Sequence, residues 1–415
     1  MNNPMNIVYD YQGIAIYLKK KINEGGEGEI WETSVDGQLA KIYLEKNRST
    51  EMYAKIKFMI EHPPVNPTKH QGHNCFTWPT RLVRDDKQKF LGFLMPKIES
   101  AKELINLYSP QLRNSLLPEF NWKYLLTAAK NLAWIIYHIH ERGYILGDIQ
   151  PKNILVNNQA LITIVDTDSF QVIDKRNNKT YPCPVSLPGF TPPELIGKTI
   201  REVTQEEYHD NFRLGVIIYL LVFSGLHPFQ GKLSGQGQEN NPLLDTNIKN
   251  GWWPFGIDNI IQPTKTTIPL DILHPDLKKC FLKCFNEGHS TPSKRPSAKD
   301  WYLALDTAIN DLMSCQIKPE YHIYSRTYNL SQGGCYWCHR AENLGADIFE
   351  AKISQSSNTQ TTIQEKQSNT QTKQSYAQST TSKQSKSTNS PNRKLLFIIV
   401  IIVIIIIVVI ALALG

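Results

Sequence analysis

The chain has 415 residues, 41% of them apolar and 20% charged, with a formal net charge of +7. That length and balance suit two to three domains with a packed core and exclude a wholly disordered or fibrous chain. Residues 352–394 hold seven Lys or Arg against one Glu, so the remainder is near neutral. A basic nucleic-acid-binding face on the globular part is therefore not expected.

The N-terminal stretch "MNNPMNIVYDYQ" has no charged-then-apolar leader, so no secretory signal is expected. Strand-like runs follow at Ile14 to Ile22 and Glu29 to Ser34, flanking the turn "NEGGEGEI". The glycines at 25, 26 and 28 have no side chains and would let backbone N–H groups approach an anion closely. A third strand, "QLAKIYL", carries Lys41. An amphipathic helix then runs from a cap at Ser49 or Thr50 to His62, ended by Pro63 and Pro64. "FTWPTRLV" and "KFLGFLMP" complete five strands with one helix.

From Trp122 the pattern is helical, over 122–142, 208–224, 274–285 and 297–313. The first of these helices runs into "HERGYILGDIQPKNILV", where Asp148 occupies a polar bend and Asn153 follows five residues later. Two short strands in "ILVNNQALITIVDTD" then bring Asp166 thirteen residues past Asn153. Strands first and helices later imply an α+β chain of two lobes rather than a doubly wound sheet.

This order of elements and motifs resembles the protein kinases over roughly Ile14 to Leu312, a Ser/Thr-kinase-like and divergent bacterial member by its details. The resemblance implies a bilobal fold, with an antiparallel N-lobe sheet plus one helix over about 1–95 and a mainly helical C-lobe over about 99–312. It implies that Gly25, Gly26, Gly28, Ile30, Lys41, Met95, Ile98 and Leu155 meet ATP, with Met95 to Ile98 as the hinge and Glu51 as the helix partner of Lys41. Asp148 would orient the substrate hydroxyl and accept its proton, while Asn153 and Asp166 would hold Mg²⁺ or Mn²⁺. "PPE" (Pro192 to Glu194), "DNFRLG" (Asp210 to Gly215) and "KRPS" (Lys294 to Ser297) match the family's scaffold motifs, with Glu194 pairing Arg295.

Departures cluster around the chemistry. The family's His-Arg before the catalytic Asp is Leu146-Gly147 here, which removes a basic pocket for a phosphorylated activation loop. The lysine two residues after the Asp is Gln150, and Lys152 is expected to supply that charge. Asp166-Thr167-Asp168 replaces the usual Asp-Phe-Gly, so the apolar plug is missing. The chemistry is expected to survive as protein serine/threonine phosphorylation. The alternative is a nucleotide-binding pseudokinase that presents its lobes or its Cys/His segment to a partner.

Residues 313–350 hold Cys315, His322, Cys335 and Cys338, three thiolates and an imidazole suited to tetrahedral Zn²⁺. His339 could replace His322, and a redox pair or plain core cysteines remain open readings. Similar Cys/His tails occur in bacterial kinase-like proteins. Cys280 and Cys284 share a helix face and read as core, while Cys75 and Cys183 show no partner pattern.

Within the 351–394 linker, 29 of residues 353–390 are Ser, Thr, Gln or Asn, a composition that predicts a disordered and basic chain with a coil span of ~35 Å. Leu395 to Leu414 contains no polar side chain, enough for one helix across a ~30 Å hydrocarbon core. Arg393 and Lys394 before it place the preceding chain on the cytoplasmic side, as a tail-anchored protein in a reducing compartment without a disulfide framework. Expected partners are that membrane and protein substrates, the chain's own Ser/Thr-rich linker among them.

Overall fold

The computed structural model describes residues 6–234, 243–258 and 260–350. Six N-terminal strands close on themselves: β1 (Asn6–Asp10), β2 (Ala15–Glu24), β3 (Gly28–Thr33), β4 (Gln38–Tyr43), β5 (Arg81–Arg84) and β6 (Phe90–Pro96), in the order β1-β2-β3-β4-β6-β5. β5 returns to β1 through the antiparallel pairs Tyr9↔Arg84 and Asp10↔Val83, so no edge is left open. Sequence periodicity predicts five strands; the sixth, β1, is too short to show an alternation. "FTWPTRLV" forms a strand only from Arg81, because Pro79 cannot donate to a ladder. Upstream of that proline, Phe76 makes a parallel bridge to Ile164.

The period of two along β4 sets up the site. Ala40 and Ile42 join the barrel core with Val8, Ile16, Leu18, Val83 and Leu94. Leu39, Lys41 and Tyr43 therefore face the opposite way, toward the lower lobe. α1 (Thr50–Glu61) starts at Ser49, whose hydroxyl accepts the Met52 N–H at 3.0 Å, and it buries Lys55, Ile56 and Met59.

Below the barrel lie the strand β7 (Lys102–Glu103), the helices α2 (Pro110–Leu116) and α3 (Trp122–Glu141), and the strands β8 (Ile154–Val156) and β9 (Ile162–Ile164), with β8 between β7 and β9. A hairpin of β10 (Val172–Asp174) and β11 (Lys179–Tyr181) precedes α4 (Glu207–Val222), which is buried over nearly its whole length. α5 (Pro275–Leu282) runs on into a π-turn at Lys283–Glu287. α6 (Ala298–Asn310) opens with a capping box in which the Ser297 hydroxyl accepts from Asp300 N–H and the Asp300 carboxylate accepts from Ser297 N–H.

The Cys/His segment is built into this lobe rather than hanging from it. Strands β12 (Leu312–Ser314) and β13 (Ile323–Ser325) pair antiparallel, followed by α7 (Arg326–Gln332) and α8 (Tyr336–Leu344). Trp337 on α8 is buried edge-on against Trp122 of α3 at 5.3 Å and against Phe349 at 4.8 Å. The buried guanidinium of Arg113 donates to the carbonyl of Ile348 at 2.6 Å and stacks over Phe349. The described residues accordingly fall within one compact unit.

The disordered linker and the apolar span expected at 395–414 lie outside the described residues. Among the described residues, no helix is long and apolar enough to cross a membrane.

Because Trp337 completes the core around α3, Trp337→Ala should destabilise the whole unit by about 3–5 kcal/mol. Thermal unfolding should stay a single transition at lower temperature. A separate early transition with the main one unmoved would mean that the segment folds on its own.

Candidate active site and metal centre

The bend that carries Asp148 is fixed by a buried carboxylate. Asp210 on α4 accepts the Leu146 N–H at 2.7 Å and the Gly147 N–H at 2.9 Å, and His140 Nε2 and Arg213 Nη1 lie 3.1 and 3.3 Å from it. Gly147 has φ +72°, and a Cβ there would stand 2.5 Å from Cys183 Cβ. The glycine that replaces a family arginine is thus required by left-handed backbone and by the packed Cys183.

One residue on, Asp148 is largely buried. Its Oδ2 accepts the Gln150 side-chain amide at 2.5 Å and the Asn153 side-chain amide at 2.9 Å. Burial raises the Asp148 carboxyl above its ordinary value, with the hydrogen bonds from Gln150 and Asn153 opposing. Asn153 donates both to this oxygen and to the Asp148 carbonyl, which orients its own amide oxygen away from them. Lys152 is exposed on the single 3₁₀ turn Pro151–Asn153.

Across the cleft, Lys41 Nζ meets Asp166 Oδ1 at 2.8 Å, both oxygens of Asp168 at 2.7 and 2.8 Å, and Glu27 Oε2 at 3.4 Å. Burial pulls the Lys41 ammonium down, but the carboxylates of Asp168, Asp166 and Glu27 outweigh it and hold the group above the usual lysine range. Asp166 sits in left-handed backbone at φ 59°, and its carbonyl accepts from the Ser169 hydroxyl and N–H. Thr167, in place of an apolar plug, donates its hydroxyl to the Thr77 carbonyl at 3.0 Å.

Glu51 does not meet Lys41. It lies in the first turn of α1, 58% exposed, and pairs with Lys179 on β11 at 3.3 Å. The residue that α1 turns inward is Lys55, whose ammonium donates to the Asp168 carbonyl at 2.7 Å. Glu27, Lys55 and Asp168 are members of the site that sequence spacing does not reveal. Of the loop glycines, Gly25 and Gly26 face open space, whereas a Cβ on Gly28 would strike the Ile42 carbonyl at 2.5 Å. Gly28 is therefore required by strand packing. Ile30 pairs in register with Lys41, Met95 lies opposite Leu39 near the end of β6, Ile98 follows two residues past that strand, and Leu155 is half-buried on β8.

Downstream, Arg295 forks onto both oxygens of Glu194 at 2.7 Å, and it also donates to the Tyr208 and Gly288 carbonyls. The scaffold pair named from "PPE" and "KRPS" is present as a bidentate contact.

The donor atoms of Cys315, His322, Cys335 and Cys338 lie within 4.8 Å of one another. Cys315 Sγ is 3.5 Å from Cys338 Sγ, and His322 Nδ1 is 3.2 Å from Cys338 Sγ and 3.8 Å from Cys335 Sγ. Bonds of ~2.3 Å to sulfur and ~2.0 Å to nitrogen around a tetrahedral zinc would set these edges at about 3.5–3.8 Å, so the four donors fit that metal. The other ring nitrogen, Nε2, is 2.8 Å from Asp347 Oδ2, an arrangement that leaves Nδ1 for the metal. Burial raises the Cys315 thiol, but the amides of Lys318 and Ile317 more than offset this and bring it down to about 7. His339 is exposed on α8 and is not part of the cluster.

In sequence the chain is similar to known protein kinases. A model of the protein kinase domain matches residues 83–302. The chain is 30% identical over 353 residues to "Protein kinase YegI" of Escherichia coli K12, covering 82% of this chain and 51% of that protein. It is 24% identical over 230 residues to a putative serine/threonine-protein kinase of Acanthamoeba polyphaga mimivirus, covering 54% of this chain and 75% of that protein. The chain thus spans about half the length of the Escherichia coli relatives it matches. Among solved structures it is similar to a rhoptry antigen kinase domain of Toxoplasma gondii, at 14% identity and a TM-score of 0.46, over 74% of this chain and 87% of that one.

Gly147→Ala should cost about 2 kcal/mol or more, since left-handed backbone and the Cys183 contact both oppose a Cβ. The midpoint of denaturant unfolding measures this directly. A variant as stable as the parent would mean that the bend can relax away from Cys183.

Proposed function

The chain belongs to the protein kinase family, and from that premise we propose that it transfers the γ-phosphoryl group of ATP to serine or threonine hydroxyls of proteins while tethered to a membrane. The observation that carries this reading is the meeting of Lys41 with Asp166 at 2.8 Å across 125 residues of chain, beside the Asp148–Asn153 pair.

ATP with Mg²⁺ supplies the phosphoryl group and the charge that neutralises it. Lys41 would hold the α- and β-phosphates. Asp166 and the amide oxygen of Asn153 would hold the metal, and Asp148 would orient the hydroxyl and take its proton. Gln150 cannot add a cation, and its amide is engaged by Asp148. Lys152, exposed on the following turn, is the nearest cation in sequence able to reach the transferring phosphate. Membrane attachment rests on the apolar run 395–414, with Arg393 and Lys394 setting the kinase on the cytoplasmic side. The Ser/Thr-rich 353–390 stretch is a candidate substrate for the chain itself.

A second reading is a nucleotide-binding scaffold without transfer. It is favoured by the Gln150 amide occupying the Asp148 oxygen that would receive the proton. Labelled ATP with Mg²⁺ or Mn²⁺ and a basic protein substrate separates the two. Transfer that disappears in Asp166→Ala supports the kinase, and binding without transfer supports the scaffold. Lys152→Ala should lower kcat by about 10²-fold with little change in ATP affinity, the behaviour of a contact made in the transition state. An unchanged rate would remove Lys152 from the mechanism.

The Cys315, His322, Cys335 and Cys338 set would hold one structural Zn²⁺ that stabilises the α7–α8 segment. Elemental analysis of freshly purified reduced protein should find about one zinc per chain, lost in the Cys335→Ser, Cys338→Ser double variant. Metal-free wild-type protein would leave the four as core residues.

A further inference from the structure

A phosphate-anchoring lysine on the third strand of a kinase is ordinarily fixed by a glutamate from the neighbouring helix. Here α1 offers no such group. Its two acids are Glu51, paired outward with Lys179, and Glu61, exposed at the last position. The inward-facing polar residue is a second lysine, Lys55, 4% exposed. Two buried ammonium groups with no helix carboxylate would be strongly unfavourable without compensation from elsewhere.

The compensation comes from the segment after Asp166. Asp168 is 2% exposed, and both of its carboxylate oxygens lie within 2.8 Å of Lys41 Nζ. Oδ2 also accepts the Tyr43 hydroxyl at 2.6 Å, and the Asp168 main-chain carbonyl accepts Lys55 Nζ at 2.7 Å. Tyr43 is two residues beyond Lys41 on the same face of β4, so strand, helix and segment all converge on one residue. Asp166, by contrast, keeps its side chain 40% exposed toward the cleft.

We propose that Asp168 is the positioning residue for Lys41, doing from the start of the activation segment what a helix carboxylate does elsewhere, with Lys55 and Tyr43 holding Asp168 in place. Lys41 is then aligned by the same short segment that carries Asp166, and not by the swing of α1. Outward movement of α1 would release Lys55 from the Asp168 carbonyl, while Tyr43 on β4 would still hold the Asp168 carboxylate against Lys41. The functional consequence rests on the nucleotide reading above; the contact itself does not.

The experiment uses the full chain in detergent and two readouts. One is the dissociation constant of MgATP by calorimetry, for Asp168→Asn, Lys41→Met and the double variant. The other is labelling of Lys41 by acetic anhydride, followed by mass spectrometry, which needs no nucleotide. Asp168→Asn should weaken MgATP on the order of tenfold, as loss of a charge-assisted contact does. The double variant should be no weaker than Lys41→Met alone, because Asp168 acts through Lys41. Lys41, 7% exposed while paired, should label several-fold faster once released.

Additive losses of affinity, or Lys41 labelling that ignores Asp168→Asn, would overturn the assignment. So would full recovery of Asp168→Asn at high Mg²⁺, since that would make Asp168 a metal ligand. Wild-type protein that binds no MgATP while its Lys41 labelling still depends on Asp168 would defeat the nucleotide reading and leave the positioning role standing. If Asp168→Asn fails to fold, Tyr43→Phe removes only the hydroxyl donor to Oδ2 and should raise Lys41 labelling to a smaller degree. No rise there overturns the assignment.

Discussion

The Asp148 side of the molecule depends on one buried carboxylate. Asp210 has no solvent contact, and the main chain of Leu146 and Gly147 is tied to its two oxygens. Burial would raise its pKa, but hydrogen bonding to His140 and the charge of Arg213 keep it ionised and below its ordinary value. The energetic argument for the bend follows from this. A buried carboxylate stripped of its donors is strongly destabilising, so the loop that supplies those donors has little freedom to move. Asp148 is the next residue, and its position is inherited from that constraint. Because the tie runs through N–H groups, it depends on backbone conformation rather than on side-chain chemistry, and at 147 that conformation calls for glycine.

That distinction explains what the sequence could and could not reveal. The helices over 122–142 and 297–313 were legible because their apolar residues repeat at 3.6, and α3 and α6 follow within a few residues. The spacing from Asp148 to Asn153 and on to Asp166 was legible because it lies along one local stretch of chain. The partner of Lys41 was not. Asp168 lies 127 residues away, and no local pattern encodes a contact made by folding one lobe onto another. Glu51 was the natural choice from an N-terminal position on α1, yet the first turn of that helix projects toward β11. Lys55 was hidden by its own chemistry, since a lysine in an amphipathic helix reads as part of the solvated face. The Cys/His set was legible by ligand type, and its spatial meeting selects His322 over His339, which spacing alone left open.

The charge cluster also accounts for a polar residue where the family keeps an apolar plug. Thr167 lies between two aspartates that both reach Lys41, in a backbone that is left-handed at Asp166. A short side chain that hydrogen-bonds the Thr77 carbonyl ties this segment to the chain entering β5. The segment is held by Tyr43 from the strand, Lys55 from the helix and Thr77 from the linking chain, so its conformation is determined from three sides. Positive φ at a non-glycine residue persists only under such constraint.

The two candidate centres bracket a single helix. Trp122 at the start of α3 packs on Trp337 beside the Cys/His set, and His140 near its end contacts Asp210, which ties the bend before Asp148. A helix of 20 residues separates them by roughly 30 Å. Eleven of its residues are buried, so it is set into the core along most of its length. Spatial intermediacy is not by itself a coupling; a two-state element biased by both sites would be needed for one. What the packing does supply is a shared core: Trp337, Phe349 and Arg113 contribute to the core in which α3 is set, so the stability of that end and of the helix bearing His140 are linked.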